Sequence, residues 1–488
     1  MKHTFPDLPL APRFAGLPAT FHSQVRSTPL PQARLVAWNT GLAEELGLDP
    51  DPAHHAHLAQ LLGGNAALAG YPQLASVYSG HQFGVWAGQL GDGRAMLLAE
   101  IATPQGIREL QLKGAGQTPY SRHADGRAVL RSSIREYLCS EAMHALGIPT
   151  TRALALVSSP QPVRRETIET AAVVTRVAPS FLRFGHFEHF YHRAQHDALR
   201  TLADWAITHF FAGCQDAANP YAALLQAVTA RTAALIAQWQ AVGFCHGVMN
   251  SDNMSLLGLT LDYGPFGFMD GFDAGHICNH SDTHGRYAYD EQPHIGLWNL
   301  QCLAQALLPL TGQAAAVEAL QSYEAHFHAA FGEALRRKLG LLAWREADWT
   351  LAAGLMELMQ AAHTDWTIGW RALSTLPAHG PAPDALRDLF LDRAGFDAWT
   401  AAYQARLVDE GNLDDRARAA RMDAANPKYV LRNHLAAQVI QAAEQGDYAP
   451  LVRLHDCLAQ PFDDAPQYQE YAALPPDWAA TLSVSCSS

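Results

Sequence analysis

The sequence predicts an α+β chain with a β-rich first lobe followed by a helical second lobe. Three observations predict this. Between residue 77 and about residue 177, short apolar or alternating runs are punctuated by Gly, Pro and polar clusters, the pattern of strands. After Phe184 the apolar residues recur at helical spacing, almost to the end of the chain. The chain has 488 residues, 49% hydrophobic and 17% charged, too long for one core and too apolar for disorder, so it should pack as two or more units.

Taken in order, residues 1–75 are rich in Pro, Ala and Leu. They read as an N-terminal extension wrapping the core, with a short helical stretch over 34–46. Residues 76–184 form the β-rich lobe, with strands expected over 95–101, 108–112, 153–157 and 171–177. One helix interrupts them: Ile134, Tyr137, Leu138, Ala142, Ala145 and Leu146 recur at helical spacing, and Gly147-Ile148-Pro149 ends it. Residues 185–375 form the helical lobe, with long periodic segments over 197–211 and 221–242 and a loop-rich stretch over 243–295. Residues 376–488 read as a helical C-terminal region.

Composition excludes some functions. A formal net charge of −13 argues against binding along nucleic-acid backbones. The first residues lack the apolar core of a signal peptide, and no run reaches the ~18 apolar residues of a membrane span. Seven cysteines, few and odd in number, suit a reducing, cytoplasmic compartment. No nucleic-acid or membrane partner is expected.

The chemistry-bearing residues are spread along the chain. Lys113 ends a strand-like run in which Leu110 and Leu112 face the core, so Lys113 should point to the other face, one that Gln111 is not expected to share. Glu136 lies off the apolar stripe of the helix that follows. It either pairs with Lys113 or closes a Ser133-x-x-Glu136 capping box. Far downstream come His246-Gly247-Val248-Met249-Asn250-Ser251-Asp252-Asn253 and then Asp262-Tyr263-Gly264. Lysine, glutamate, a histidine-to-asparagine loop and Asp-aromatic-Gly, in that order, form the skeleton of a protein kinase. The carboxylate that a kinase places third in its catalytic loop is absent, because Val248 stands there. Asn253 and Asp262 flank the apolar, strand-like residues 254–261, which would bring two hard oxygen ligands together for Mg²⁺ or Mn²⁺; an Asx-rich turn is the plainer reading.

Other segments leave two readings open. Gly88-Gln89-Leu90-Gly91-Asp92-Gly93-Arg94 could cover phosphates or make a hairpin turn at Asp92-Gly93. Arg176 and Arg183, in partly apolar surroundings, call for an anion or for surface ion pairs. Between His276 and His284, three histidines and Cys278 invite a zinc reading, but their spacing fits no common site. They read better as loop or substrate-facing groups.

Five segments together resemble the selenoprotein O family. These are Tyr78-Ser79-Gly80-His81-Gln82-Phe83-Gly84, the glycine segment 88–94, Leu112-Lys113-Gly114-Ala115-Gly116, the loop 246–253, and the terminal Ser485-Cys486-Ser487-Ser488. The resemblance implies a protein-kinase-like fold and transfer of AMP from ATP to Ser, Thr or Tyr hydroxyls of proteins, with UMP transfer from UTP attributed to bacterial members. It implies a nucleotide bound end for end relative to a kinase, with its α-phosphorus facing the acceptor. Gly91, Gly93, Arg94, Lys113, Asp125, Gly126, Arg176, Arg183 and Asp262 would hold the nucleotide, Asn253 and Asp262 the metal, and Asp252 would act as base, with Lys113 and Glu136 beside it. It also suggests a redox pair between Cys278 and Cys486. A γ-phosphate kinase and an inactive nucleotide-binding scaffold are the alternatives.

Overall fold

The computed structural model describes residues 2–485. Cys486 therefore lies outside the described residues. The chain is α+β, with a large antiparallel sheet in its first part and helices through the rest.

The sheet contains β1 (His22–Gln24), β2 (Arg34–Trp38), β3 (Leu74–Ser76), β6 (Ala95–Thr103), β7 (Gly106–Lys113), β8 (Ala128–Val129), β9 (Arg152–Arg164) and β10 (Ile168–Ala178). The order is β1-β3-β6-β7-β10-β9-β2, with β8 joined to β10 at the side. A second pair, β4 (Ser79–Gln82) and β5 (Val85–Gln89), stands apart from it. The apolar runs of β9 and β10 are buried almost without exception, which explains why they read as continuous rather than alternating.

Three expectations change here. The stretch 34–46 is not one helix. Residues 34–38 form β2, which pairs with β9, and only Thr40–Glu45 is helical (α1), capped by the Asn39 side chain. Leu35, Val36 and Trp38 suit a strand, and pairing against buried β9 decides the matter. The hairpin is not at Asp92-Gly93 either. It turns at Phe83-Gly84, whose φ values of 50° and 78° are both positive, as a type I′ turn requires. Asp92 instead turns inward, its Oδ2 accepting from the Ser76 amide at 2.9 Å and hydroxyl at 2.6 Å. Finally, Gln111 and Lys113 share a face, as a two-residue period demands: Arg176 donates to Gln111 Oε1 and also belongs to the Lys113 cluster described below.

The N-terminal segment is anchored by charge as well as by strand pairing. Glu100 is fully buried and accepts from the backbone amides of Arg13, Phe14 and Ala15 at 2.8, 2.7 and 3.0 Å and from the Tyr71 hydroxyl at 2.7 Å. Arg13 also reaches Glu109. Burial beside Glu100 pushes the Glu109 carboxyl up to about 7.

After α2 (Leu58–Leu62), α3 (Leu130–Ala145) crosses the sheet against β9 and β10. It starts at Leu130, four residues before Ile134, the first residue of the expected apolar stripe, with Val129 at the cap. Ser133 and Glu136 therefore sit inside the helix, and the capping-box reading falls. Then come α4 (Phe184–His192), α5 (His196–Phe210), α6 (Pro220–Val242) and α7 (Gln292–Thr311), followed by shorter helices to Leu458. Gly243, with φ 73°, closes α6. The loop 243–291 is held by the pairing of Phe244–Cys245 with Gly267–Phe268. Residues 254–261 form a loop closed by one Met254–Thr260 bridge rather than a strand. The C-terminal helices Asn433–Glu444 and Ala449–Leu458 cover the face of α3. Arg432, buried just before them, binds Asp365 and Asp270. Among the described residues no helix is long and apolar enough to cross a membrane.

Candidate active site

A cleft of about 980 Å³ opens between the ends of β6, β7 and β10 and the loop 246–265. Strand register builds its floor. Lys113 on β7 pairs with Val174 on β10, and Arg176 lies two residues further on, so both cations rise from one face. From α3, Glu136 meets both: its Oε2 is 2.6 Å from Lys113 Nζ and its Oε1 3.2 Å from Arg176 Nη1. Asp262 closes the cluster from the opposite wall. Its Oδ1 lies 2.6 Å from Arg176 and 3.2 Å from Lys113, and its Oδ2 accepts from Arg183. Three cations thus face two carboxylates, and the excess positive charge suits a phosphate.

These groups set each other's ionisation. Burial disfavours the Asp262 carboxylate, yet Arg183, Lys113 and Arg176 hold it well below the usual range. Burial lowers Lys113, against the pull of Glu136 and Asp262. Burial also takes His246 down to about 4, a neutral ring whose Nδ1 accepts from the Val248 amide.

Asp252 sits in the short turn Ser251–Asn253. Burial pushes its carboxyl up to about 7, with Arg183 opposing. Its Oδ2 accepts from Gln82 Nε2 at 3.3 Å, while its buried Oδ1 has no hydrogen-bond partner. Asp252 lines the cleft, and a carboxylate oxygen there without a partner is a place to receive a proton. Next to it, Asn253 donates its amide to the Val248 carbonyl at 3.0 Å, which fixes the amide plane and leaves Oδ1 as a ligand oxygen. A carboxylate offers about four acceptor positions, and the cations take three of those on Asp262. One carboxylate and one amide oxygen on facing sides of a loop fit Mg²⁺ or Mn²⁺, whose remaining ligands come from phosphate and water.

The other wall carries the remaining expected residues. Gly91, Gly93, Arg94, Asp125 and Gly126 all line the cleft. A Cβ on Gly91 would lie 2.5 Å from the Tyr120 ring, and one on Gly126 2.2 Å from the Gly116 carbonyl carbon. Both glycines therefore permit the segment 118–127 to fold down beside the glycine loop. Asp125 is bound to Arg165, at 2.8 Å, which lowers its carboxyl. Arg94 pairs with no carboxylate among the described residues. Cys278 is outside the cleft. It is buried, and its thiol donates to the carbonyls of Pro265 at 2.9 Å and Cys245 at 3.4 Å. The histidines between 276 and 284 are not gathered with it into a group that could share one ion.

Sequence reasoning missed roles for Gln82, Tyr78 and Tyr120. Arg183 stacks over the Tyr78 ring at 5.2 Å, and Gln82 reaches Asp252 from 170 residues away. The density of Gly and polar residues over 78–93 marks a non-core segment, but which atom each side chain meets is a long-range fact.

Compared with known proteins, residues 4–459 match the family described as "Protein adenylyltransferase SelO". The "Protein nucleotidyltransferase YdiU" of Burkholderia vietnamiensis is 56% identical, over 99% of this chain and 98% of its own. Those of Burkholderia cenocepacia and Burkholderia ambifaria are 55% identical over the same shares.

Proposed function

This chain belongs to the protein adenylyltransferase SelO family and is a nucleotidyltransferase, and we propose that it transfers AMP from ATP to Ser, Thr or Tyr hydroxyls of proteins on a two-lobed, kinase-like fold. The sheet with α3 is the first lobe, the helices from α4 onward are the second, and the nucleotide lies between them. The observation that carries this reading is Asp252. Its unpartnered Oδ1 belongs to a carboxylate in a loop where Val248 occupies the usual kinase position. Moving the base along the loop matches moving the reacting phosphorus from γ to α.

In the proposed reaction the acceptor oxygen bonds to the α-phosphorus and the bond from that phosphorus to the α–β bridging oxygen breaks. Pyrophosphate leaves, and the hydroxyl proton passes to Asp252. Lys113, Arg176 and Arg183 neutralise the β- and γ-phosphates held inside the cleft, and Glu136 orients Lys113 and Arg176. Arg94, Gly91, Gly93, Asp125 and Gly126 complete the nucleotide wall. Asn253 and Asp262 would hold Mg²⁺ or Mn²⁺, which supplies charge neutralisation on the phosphates.

Cys278 and Cys486 are proposed as a redox pair. Two residues past Cys278, His280 donates its amide to the Val484 carbonyl at 3.0 Å, so the described end of the tail already runs beside this loop. Mass spectrometry of oxidised, non-reduced protein should find the cross-link; free thiols at both positions would reject it. A cytoplasmic setting suits the six buried free cysteines among the described residues.

The decisive experiment uses ATP labelled on either the α- or the γ-phosphate, with Mg²⁺ and an Asp262→Ala control. AMP transfer leaves label on protein only from the α-position, and none in the control. Label from the γ-position would mean kinase chemistry, and no label from either would mean a binding scaffold. Labelled UTP run in parallel tests whether UMP is transferred as well.

A further inference from the structure

Glu188 on α4 has no business being a lone carboxylate. It is fully buried, and among the described residues neither lysine nor arginine pairs with it. Its Oε2 meets only His81 Nδ1, at 2.6 Å. Its Oε1 is buried without any partner. An ionised carboxylate in that position is costly unless a cation completes it. Two imidazoles stand ready to bring one. His192 is one helical turn along the same face of α4, and His81 approaches from β4. Ligand atoms of His81, Glu188 and His192 all lie within 4.8 Å of one another, the one such group of three or more among the described residues.

We propose that His81, Glu188 and His192 form a binding site for a first-row divalent transition metal, Zn²⁺ in the first instance, separate from the nucleotide-bound metal. Two imidazoles and one carboxylate match the three-ligand zinc sites that leave a fourth position open. Nitrogen ligands also select against Mg²⁺, which prefers oxygen. The surroundings suit such a site. The Trp86 ring lies 3.9 Å from the His192 ring and the Trp298 ring 5.4 Å from the His81 ring, so an aromatic side chain flanks each imidazole.

The ion would tie the β4–β5 hairpin to α4. That hairpin carries Gln82, which donates to Asp252, and the His81 amide donates to Ser251 Oγ at 2.8 Å. The site is thus a clamp on the hairpin that braces the proposed base.

The test uses the full chain, freed of metal by chelation, in millimolar Mg²⁺. Equilibrium dialysis against Zn²⁺, and visible absorption with Co²⁺, read binding directly. Wild type and Asp262→Ala should each take up one equivalent, with Co²⁺ bands of low coordination number. His81→Gln and His192→Ala should each weaken binding at least about tenfold. His192 is exposed, so its variant should fold, and circular dichroism checks this. Uptake in the histidine variants equal to wild type, or no uptake by wild type at micromolar Zn²⁺, would overturn the proposal. Loss of uptake in Asp262→Ala alone would do so too, by moving the ion to the nucleotide cleft.

Discussion

Asp252 separates binding from chemistry at the scale of one residue. Asp252 lines the cleft and its Oδ1 has no hydrogen-bond partner, while the cations proposed to bind phosphate are other side chains. Asp252→Ala should therefore keep ATP affinity within about threefold and lower transfer by roughly 10³, a loss in kcat rather than KM. Isothermal titration with ATP and a transfer assay check the two halves. A second residue reports on stability. Lys338 is buried against the Trp370 ring, 4.6 Å away, and burial lowers its amine to about 7. An unfolded lysine titrates near 10.5. Between these values the unfolded chain binds more protons than the folded one, so stability rises with pH across that window. Lys338→Met should flatten the rise and stabilise the protein by on the order of 2 kcal/mol below pH 7, measured by urea melts at pH 6.5 and 9.5. Lys113, Asp252, Asn253 and Asp262 were legible in sequence because their spacing is ordered. Gln82 and Lys338 were not, because their environments are made by residues far away in the chain.

Elements were legible where period and punctuation agreed. The helix α3, the strands β6, β7, β9 and β10, and the switch to helices at Phe184 all follow from apolar spacing. Misreadings came where tertiary pairing overrode local preference. Residues 34–38 became a strand because β9 offered a partner, and Ser133-x-x-Glu136 matched a cap motif inside a helix that had already begun. The packing of β4 on α4 is a further long-range fact with a sharp consequence. A Cβ on Gly185 would lie 2.1 Å from the Ser79 carbonyl oxygen. Gly185→Ala should push the hairpin off α4 and cost roughly 3 kcal/mol, seen as a lower melting temperature together with reduced transfer.

Across the whole molecule, parts distant in sequence share single anchor points. Glu100 joins residues 13–15 to the middle of the sheet through three hydrogen bonds and holds Tyr71 through a fourth. Glu100→Gln should cost about 2–4 kcal/mol, because amides replace charge-assisted acceptors in a buried place; thermal unfolding at neutral pH measures it. Nothing in the composition of residues 1–75 announced that they donate strands as well as a wrapping segment. That arrangement has a consequence during synthesis. β2 leaves the ribosome more than a hundred residues before β9, the strand it pairs with. At translation rates of 5–20 residues per second, its edge waits on the order of 10 s for a partner. The newborn chain spends that interval with the edge of an apolar strand unpaired and exposed to association with other chains.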